Sequence, residues 1–353
     1  MPCSVIQPKE QILPFRFIIE NMNLIQFCLL HGWRLLHFGF LIFYFLIFIP
    51  GDSMAQNGIP IVRSGQIVRF ASFKSKFVAE RNVDVWLPDG FNPSKKYAVV
   101  YMQDGQMLFD SSGNWVKQEW GVDETFGRLL NEKKIRDCIV VGIWNTNDHR
   151  YGDYFPEKPF NLLSESEKGI IRALGQTIKH RQFVNGKPNS DDYLRFLVKE
   201  LKPFIDRNFP TLRKRNDTFI MGSSMGGLIS LYALCEYPRV FGGAACLSTH
   251  VTGIFTNKNN PFPQALIQYL NQKLPKPRQH RFYFDRGTTT LDSLYEPHQL
   301  RVDSVFRFRG FKTENFQSLI FLGEPHTETA WKKRLEIPVL FLLKSSSNQS
   351  KSE

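Results

Sequence analysis

Cysteine is scarce in this chain, five among 353 residues, and the eight histidines are scattered. Neither residue type falls at the spacing that builds a metal centre, so no metal and no cofactor is expected. The chain has no internal repeat. Zinc-finger, RNP and helix-turn-helix patterns are absent too, although the formal net charge is +12. Positive charge points to nucleic acid when it clusters beside such a motif. Here it is mostly dispersed. Its two local runs, Arg213-Lys214-Arg215 and Lys273 to Arg278, lie between expected elements and read as solvated loops. No nucleic-acid partner is expected.

One stretch differs in kind from the rest. Phe38 to Ile49 is a compact apolar run without charge, preceded by Arg34 and followed by Ser53-Met54-Ala55 just before Gln56. That is the layout of a secretory signal peptide with a small-x-small cleavage site. The run is short of the roughly 20 residues of a membrane span. The expectation is a signal peptide over 1–55, with Met22 an alternative start and an uncleaved N-terminal anchor the alternative role. The protein would be exported, periplasmic or secreted, and would touch a membrane only through this segment. Cleavage would remove Cys3 and Cys28. Cys138, Cys235 and Cys246, in strand-like and helical runs, form an odd set and read as small buried hydrophobes.

The remaining 56–353 is long enough for one large domain. Gln66–Phe73 and Asn82–Leu87 read as an early antiparallel pair. Tyr97–Met102, Cys138–Ile143, Phe219–Met221, Gly243–Ser248, Arg281–Phe284 and Leu319–Leu322 follow as strands. Helical patterns separate them, at Val122–Leu130, Asp192–Phe209 and about 263–274, 295–308 and 327–337. Such alternation implies an α/β fold with a mostly parallel sheet and helices on both faces. The interval 149–190 is too long for a simple connection. It carries Tyr151, Tyr154, Phe155 and Phe160, then a short polar helix, and reads as an insertion covering a site. Arg150 and Tyr154 at its entrance are candidates for contacting substrate.

The richest stretch is Gly222-Ser223-Ser224-Met225-Gly226. A strand-like run leads in and a helix-like run from Leu228 to Leu234 leads out. This is the setting that pushes a serine onto a sharp turn with its hydroxyl exposed. A serine becomes a nucleophile only when a base takes its proton, and the base needs a carboxylate to orient it. On sheets of this kind the chain order is serine, acid, histidine. Only His250, His280, His298 and His326 follow Ser224. His250 lacks a plausible acid before it, and His280 precedes a strand and so sits at its wrong end. His298 belongs to the following helix. His326 lies just past a strand, on Gly323-Glu324-Pro325-His326, at the carboxyl edge where catalytic groups gather. Asp285 and Asp292 compete as the acid. Asp292 is preferred because its loop can reach over the sheet edge, with Asp285 accepting backbone hydrogen bonds that hold the Gly287 loop. The backbone N–H groups of Met225 and of Gln106, in Gln103-Asp104-Gly105-Gln106-Met107, are the expected oxyanion donors.

Taken together, Tyr101 to Gln106, Gly222 to Gly227, Asp285-Arg286-Gly287 with Asp292, and Gly323 to His326 with Trp331 resemble an esterase family of α/β-hydrolases. That family includes enterochelin-type siderophore esterases, esterase D, feruloyl and acetyl-xylan esterase domains, and mycolyltransferases. The resemblance covers about 66–342. It implies the α/β-hydrolase fold, Ser224 as nucleophile, Asp292 as acid, His326 as base, and Gln106 and Met225 as oxyanion donors. The implied activity is hydrolysis of a carboxylic ester, small or polysaccharide-linked, through an acyl-enzyme. Acyl transfer to a sugar or lipid, and binding without catalysis, are the alternatives.

Overall fold

The computed structural model describes residues 58–112, 114, 116–176 and 183–344. The apolar run Phe38–Ile49 and its cleavage pattern lie outside them. Eight strands form one sheet: β1 (Gln66–Phe73), β2 (Arg81–Leu87), β3 (Ala98–Gln103), β4 (Cys138–Ile143), β5 (Thr218–Ser223), β6 (Gly243–Leu247), β7 (Arg281–Arg286) and β8 (Phe316–Ile320). Their order is β1-β2-β4-β3-β5-β6-β7-β8. The pairs β1–β2 and β2–β4 are antiparallel, and every later pair is parallel.

Strand periodicity sends alternate residues to opposite faces. Val99 and Tyr101 of β3, Val141 of β4 and Ile220 of β5 join one buried cluster. Val100, Met102, Val140 and Met221 join the other. Both faces are therefore covered, as a parallel sheet requires. The first carries the helices Met225–Glu236, Phe262–Lys273 and Glu296–Phe308, through Leu228, Leu266 and Phe306. The second carries Val122–Asn131, Glu328–Arg334 and Glu336–Leu343, through Phe126, Trp331 and Leu342.

The strand order itself marks where a site is expected. β3 has β4 on one side and β5 on the other, so the chain reverses direction across the sheet at β3. Loops leaving the carboxyl ends of β3 and β5 part there, which opens a cleft in doubly wound sheets. Asp104-Gly105-Gln106 leaves one strand and Ser224 leaves the other.

Two expectations are adjusted. The last strand runs Phe316–Ile320 rather than Leu319–Leu322. The Phe321 amide takes the Arg286 carbonyl at 2.9 Å, the last acceptor β7 offers. Leu322, with no rung left to fill, is 85% exposed. The excursion 149–190 also holds more structure than a short polar helix. It forms helices at Arg150–Tyr154, Glu157–Asn161 and Glu165–Gln176. Its aromatics anchor it: Phe155 and Phe160 pack edge-on against Phe183, and Phe155 lies 4.4 Å from Phe262 between ring centres. A buried ion pair, Arg81 to Asp153 at 2.8 Å, ties it to β2.

The helix expected at Asp192–Phe209 is continuous from Ser190 to Asn208 but widens to a π-helical stretch at Phe196–Leu201. Pro203 follows one residue later. Its ring has no N–H to donate and would clash with the carbonyl four residues back, and a widened turn relieves that clash.

Candidate active site

β5 ends at Ser223 and a helix begins at Met225, leaving Ser224 alone on the turn with φ 55° and ψ −123°. A side chain rarely tolerates that conformation, so the surroundings must hold it. They do so through three backbone hydrogen bonds. Ser224 N–H donates to the Leu247 carbonyl at 2.9 Å, and its own carbonyl accepts from Leu228 and His250, each at 3.1 Å. The turn is so tight that a Cβ on Gly222 would sit 2.6 Å from the Gly226 carbonyl. Met225 opens the helix, so its N–H belongs to a first turn whose amides have no intrahelical acceptor.

Beside the elbow, the loop after β3 makes a single 3₁₀ turn at Gly105–Met107. Asp104 enters it with φ 56°, another strained residue. Its carboxylate is clamped: Arg150 donates to both oxygens at 2.7 Å, and Asn145 Nδ2 donates to Oδ1 at 2.6 Å. Its amide donates to the Tyr154 hydroxyl at 3.3 Å. The loop and the elbow nearly touch, since a Cβ on Gly226 would lie 3.2 Å from Asp104 Oδ2. These contacts correct the expectation for Tyr154. It is fully buried, with its ring under the Arg150 guanidinium and its hydroxyl under Asp104, and presents no surface to a substrate. Arg150 keeps a partly exposed side chain, but its Nε and Nη2 are committed to Asp104.

The third group assembles past β7 and β8. Asp292 lies in a turn at Thr290–Leu294 and is completely buried. Its Oδ1 is 2.5 Å from His326 Nδ1. Its Oδ2 accepts from Ser248 Oγ at 2.6 Å and from the Gly287 amide at 2.5 Å. Burial alone would raise this carboxyl, but the hydrogen bond and positive character of His326, with Ser248 and Gly287, hold it below the usual carboxylate value. An ionised Asp292 only accepts, so Nδ1 carries a proton toward it and Nε2 is the nitrogen left to act as base. The two loops are laced together: His326 N–H donates to Thr290 Oγ1 at 2.8 Å, and Thr288 N–H to the Glu324 carbonyl at 3.1 Å. A Cβ on Gly287 would run into that same carbonyl.

Asp285 has a different place. It pairs with Arg334 at 2.9 Å and accepts from the Ser248 amide at 3.2 Å and the Tyr283 hydroxyl at 3.0 Å. The Gly287 loop is held by Asp292, not by Asp285 as the sequence suggested, because β7 runs on to Arg286 and turns the Asp285 side chain into the core. His298 lies on the helix Glu296–Phe308, and His280 sits at the amino end of β7, its Nε2 2.7 Å from the Pro238 carbonyl.

Against known proteins, the family model described as "Putative esterase" matches residues 75–336. The chain belongs to this esterase family. It is 26% identical over 190 residues to the uncharacterized protein YjcH of Bacillus subtilis (strain 168), a match covering 54% of this chain and 64% of YjcH. The chain thus spans just under two thirds of that relative's length. Among solved structures, it is similar to the ferulic acid esterase AmCE1/Fae1A of the anaerobic fungus Anaeromyces mucronatus. The TM-score is 0.56 at 16% identity, over 82% of this chain and 94% of that one. It is also similar to the enterobactin esterase FES of Shigella flexneri, with TM-score 0.56 and 16% identity over 80% and 60% of the two chains. At these identities the likeness is one of fold, the α/β-hydrolase fold.

Several residues around this site escape a reading of the sequence. Tyr295 and Trp331 flank the His326 ring edge-on, with centroids 5.9 and 5.0 Å away. The Tyr295 hydroxyl also lies 2.7 Å from Nδ1 of buried His250, whose amide holds the Ser224 carbonyl. Glu328 opens the helix after His326, and burial, then the nearby Asp104 charge, raises its carboxyl. Ser248 and Arg334 complete the surroundings of Asp292. Of these, the sequence points to Trp331, within the resemblance, and to His250, weighed as a base; the others give no signal.

Proposed function

We propose that the protein is a serine esterase that hydrolyses a carboxylic ester through an acyl-enzyme. One observation carries the reading: the buried Asp292 carboxylate lies 2.5 Å from His326 Nδ1, at the same sheet edge as the strained Ser224. Ser224 Oγ attacks the ester carbonyl while His326 Nε2 takes its proton. The carbonyl oxygen gains the charge, met by the N–H groups of Met225 and Gln106. The tetrahedral centre collapses, the C–O bond to the alcohol breaks, and His326 returns the proton to the leaving oxygen. Water then attacks the acyl-Ser224 ester, with His326 again removing the proton, and releases the acid. Asp292 keeps the imidazole oriented and stabilises it when charged.

Two of the solved relatives are named a ferulic acid esterase and an enterobactin esterase. We extend ester hydrolysis of that kind to this chain, with a small or polysaccharide-linked carboxylic ester as substrate. The excursion 149–190 would cover the bound ester, with the Arg150–Asp104 clamp fixing the oxyanion loop beneath it.

The test is hydrolysis of a short-chain aryl ester, then of feruloyl and acetyl saccharide esters, by the protein and its Ser224→Ala variant. Loss of the nucleophile should lower turnover on the order of 10⁶-fold. Equal rates for the two proteins overturn the reading.

A further inference from the structure

Ser248 lies one residue past β6 and is completely buried, at φ 40°. Its hydroxyl meets three partners: Asp292 Oδ2 at 2.6 Å, Trp331 Nε1 at 2.9 Å and Arg334 Nη2 at 2.9 Å. The direction of each bond is forced. An indole N–H and a guanidinium only donate, so together they occupy both lone pairs of the hydroxyl oxygen. The one hydroxyl proton has a single acceptor left, the Asp292 carboxylate.

The backbone reinforces this arrangement. The Ser248 amide donates to the Asp285 carbonyl at 2.8 Å and to its Oδ1 at 3.2 Å. Oδ1 is also the partner of Arg334 Nη2, at 2.9 Å. Asp285, Arg334 and Ser248 thus close a buried ring that ends in a hydroxyl aimed at Asp292. Trp331 and Arg334 both sit on the helix Glu328–Arg334, which begins two residues after His326. The same short segment therefore presents the imidazole and, through Ser248, aims the carboxylate behind it.

We propose that Ser248 is a positioning residue for ester hydrolysis. Its hydroxyl, oriented by Trp331 and Arg334, fixes Asp292 in the orientation that faces His326 and draws off part of the carboxylate charge. The inference rests on the triad reading above. It makes the basicity of His326 depend on a group that never touches substrate. A hydroxyl donor to Asp292 shares the carboxylate's charge, so its removal should leave Asp292 holding a protonated His326 more strongly. Glu328, on the helix after His326, also interacts with the His326 charge, and Asp104 and Arg150 act on Glu328 in turn; none of the three is changed by a substitution at Ser248.

The experiment compares pH profiles of kcat/KM for the wild type, Ser248→Gly and Trp331→Phe. Glycine suits φ 40°, so it deletes the hydroxyl without adding backbone strain. Phenylalanine keeps a ring beside His326 but removes one donor that orients the hydroxyl. The expected result for Ser248→Gly is a fall in kcat of about tenfold, KM nearly unchanged, and an acid limb displaced to higher pH. Trp331→Phe should move both in the same direction by less, and it decides with the same readouts if Ser248→Gly does not fold. A fall in kcat with an unmoved acid limb would mean scaffolding alone and overturns the proposal, as does a wild-type profile. If Ser224→Ala hydrolyses at the wild-type rate, the triad reading and this inference fall together. If Ser224→Ala is dead and the Ser248→Gly profile is unchanged, only this inference falls.

Discussion

Ser224 holds a backbone conformation that costs on the order of 1–3 kcal/mol, and three backbone hydrogen bonds hold it there. The same economy of position applies to Asp292, whose two oxygens have three donors around them. Asp292→Asn should lower kcat on the order of 10⁴-fold, because an amide turns a donor toward His326 and favours the wrong tautomer. The carboxyl is held below its ordinary value in the folded protein. Its contribution to stability is therefore complete above the ordinary carboxylate range and is lost as pH falls through the folded value. Melting temperatures of the wild type and Asp292→Asn should differ most near neutrality and converge in strong acid. At this scale the chain order was informative: it led to His326 among four histidines. Chain order alone did not rank Asp285 against Asp292; the preference for Asp292 came from its place in the loop past the strand, and the packed loops aim that carboxylate at the imidazole.

Elements carry the supporting chemistry. The helix Glu328–Arg334 places Arg334 against Asp285 with both side chains almost wholly buried. Arg334→Met would leave a buried carboxylate unpaired, and urea titration should show a loss of about 3–5 kcal/mol. The helix Val122–Asn131 carries Asp123 in its first turn, buried beside Glu124. Burial, then the hydrogen bond with Glu124, raises Asp123 to about 7. Here the folded state binds the proton more tightly than the unfolded chain does. Stability from this group therefore declines as pH rises between about 4 and 7. Glu119 and Lys332 complete the cluster, with Lys332 3.5 Å from Glu124. Asp123→Asn keeps an oxygen for the Arg63 amide and removes the proton binding. Its melting temperature should gain on the wild type as pH is raised from acid to neutral, and a constant difference would contradict this. Helix and strand positions were mostly legible, because periodicity is local. The end of the last strand was not, because a rung exists only where the neighbouring strand still offers an acceptor.

Across the whole molecule, the excursion 149–190 shares its buried cluster with the sheet: Phe155, Phe160 and Phe183 join Ile220 and Phe282. An excursion that shares the core is expected to melt together with it. Near- and far-ultraviolet circular dichroism should report one coincident thermal transition, and an earlier loss of aromatic signal would contradict this. The meeting of the β3 and β5 loops is likewise a property of the entire strand order, since it arises only where the chain changes direction across the sheet.

The sequence by itself determined the α/β alternation, the strand–turn–helix at Ser224, the aspartate–glycine loop after β3 and the strand-edge position of His326. Each depends on side-chain periodicity and on backbone sterics among near neighbours in the chain. Only the tertiary structure decided that Asp292 faces His326, that Tyr154 is a buried prop, and that Ser248 stands behind the acid. Those contacts join residues 34, 50 and 44 positions apart. They are settled by how loops from different strands pack at one edge of the sheet, where hydrogen-bond donors and acceptors must all be matched once water is excluded.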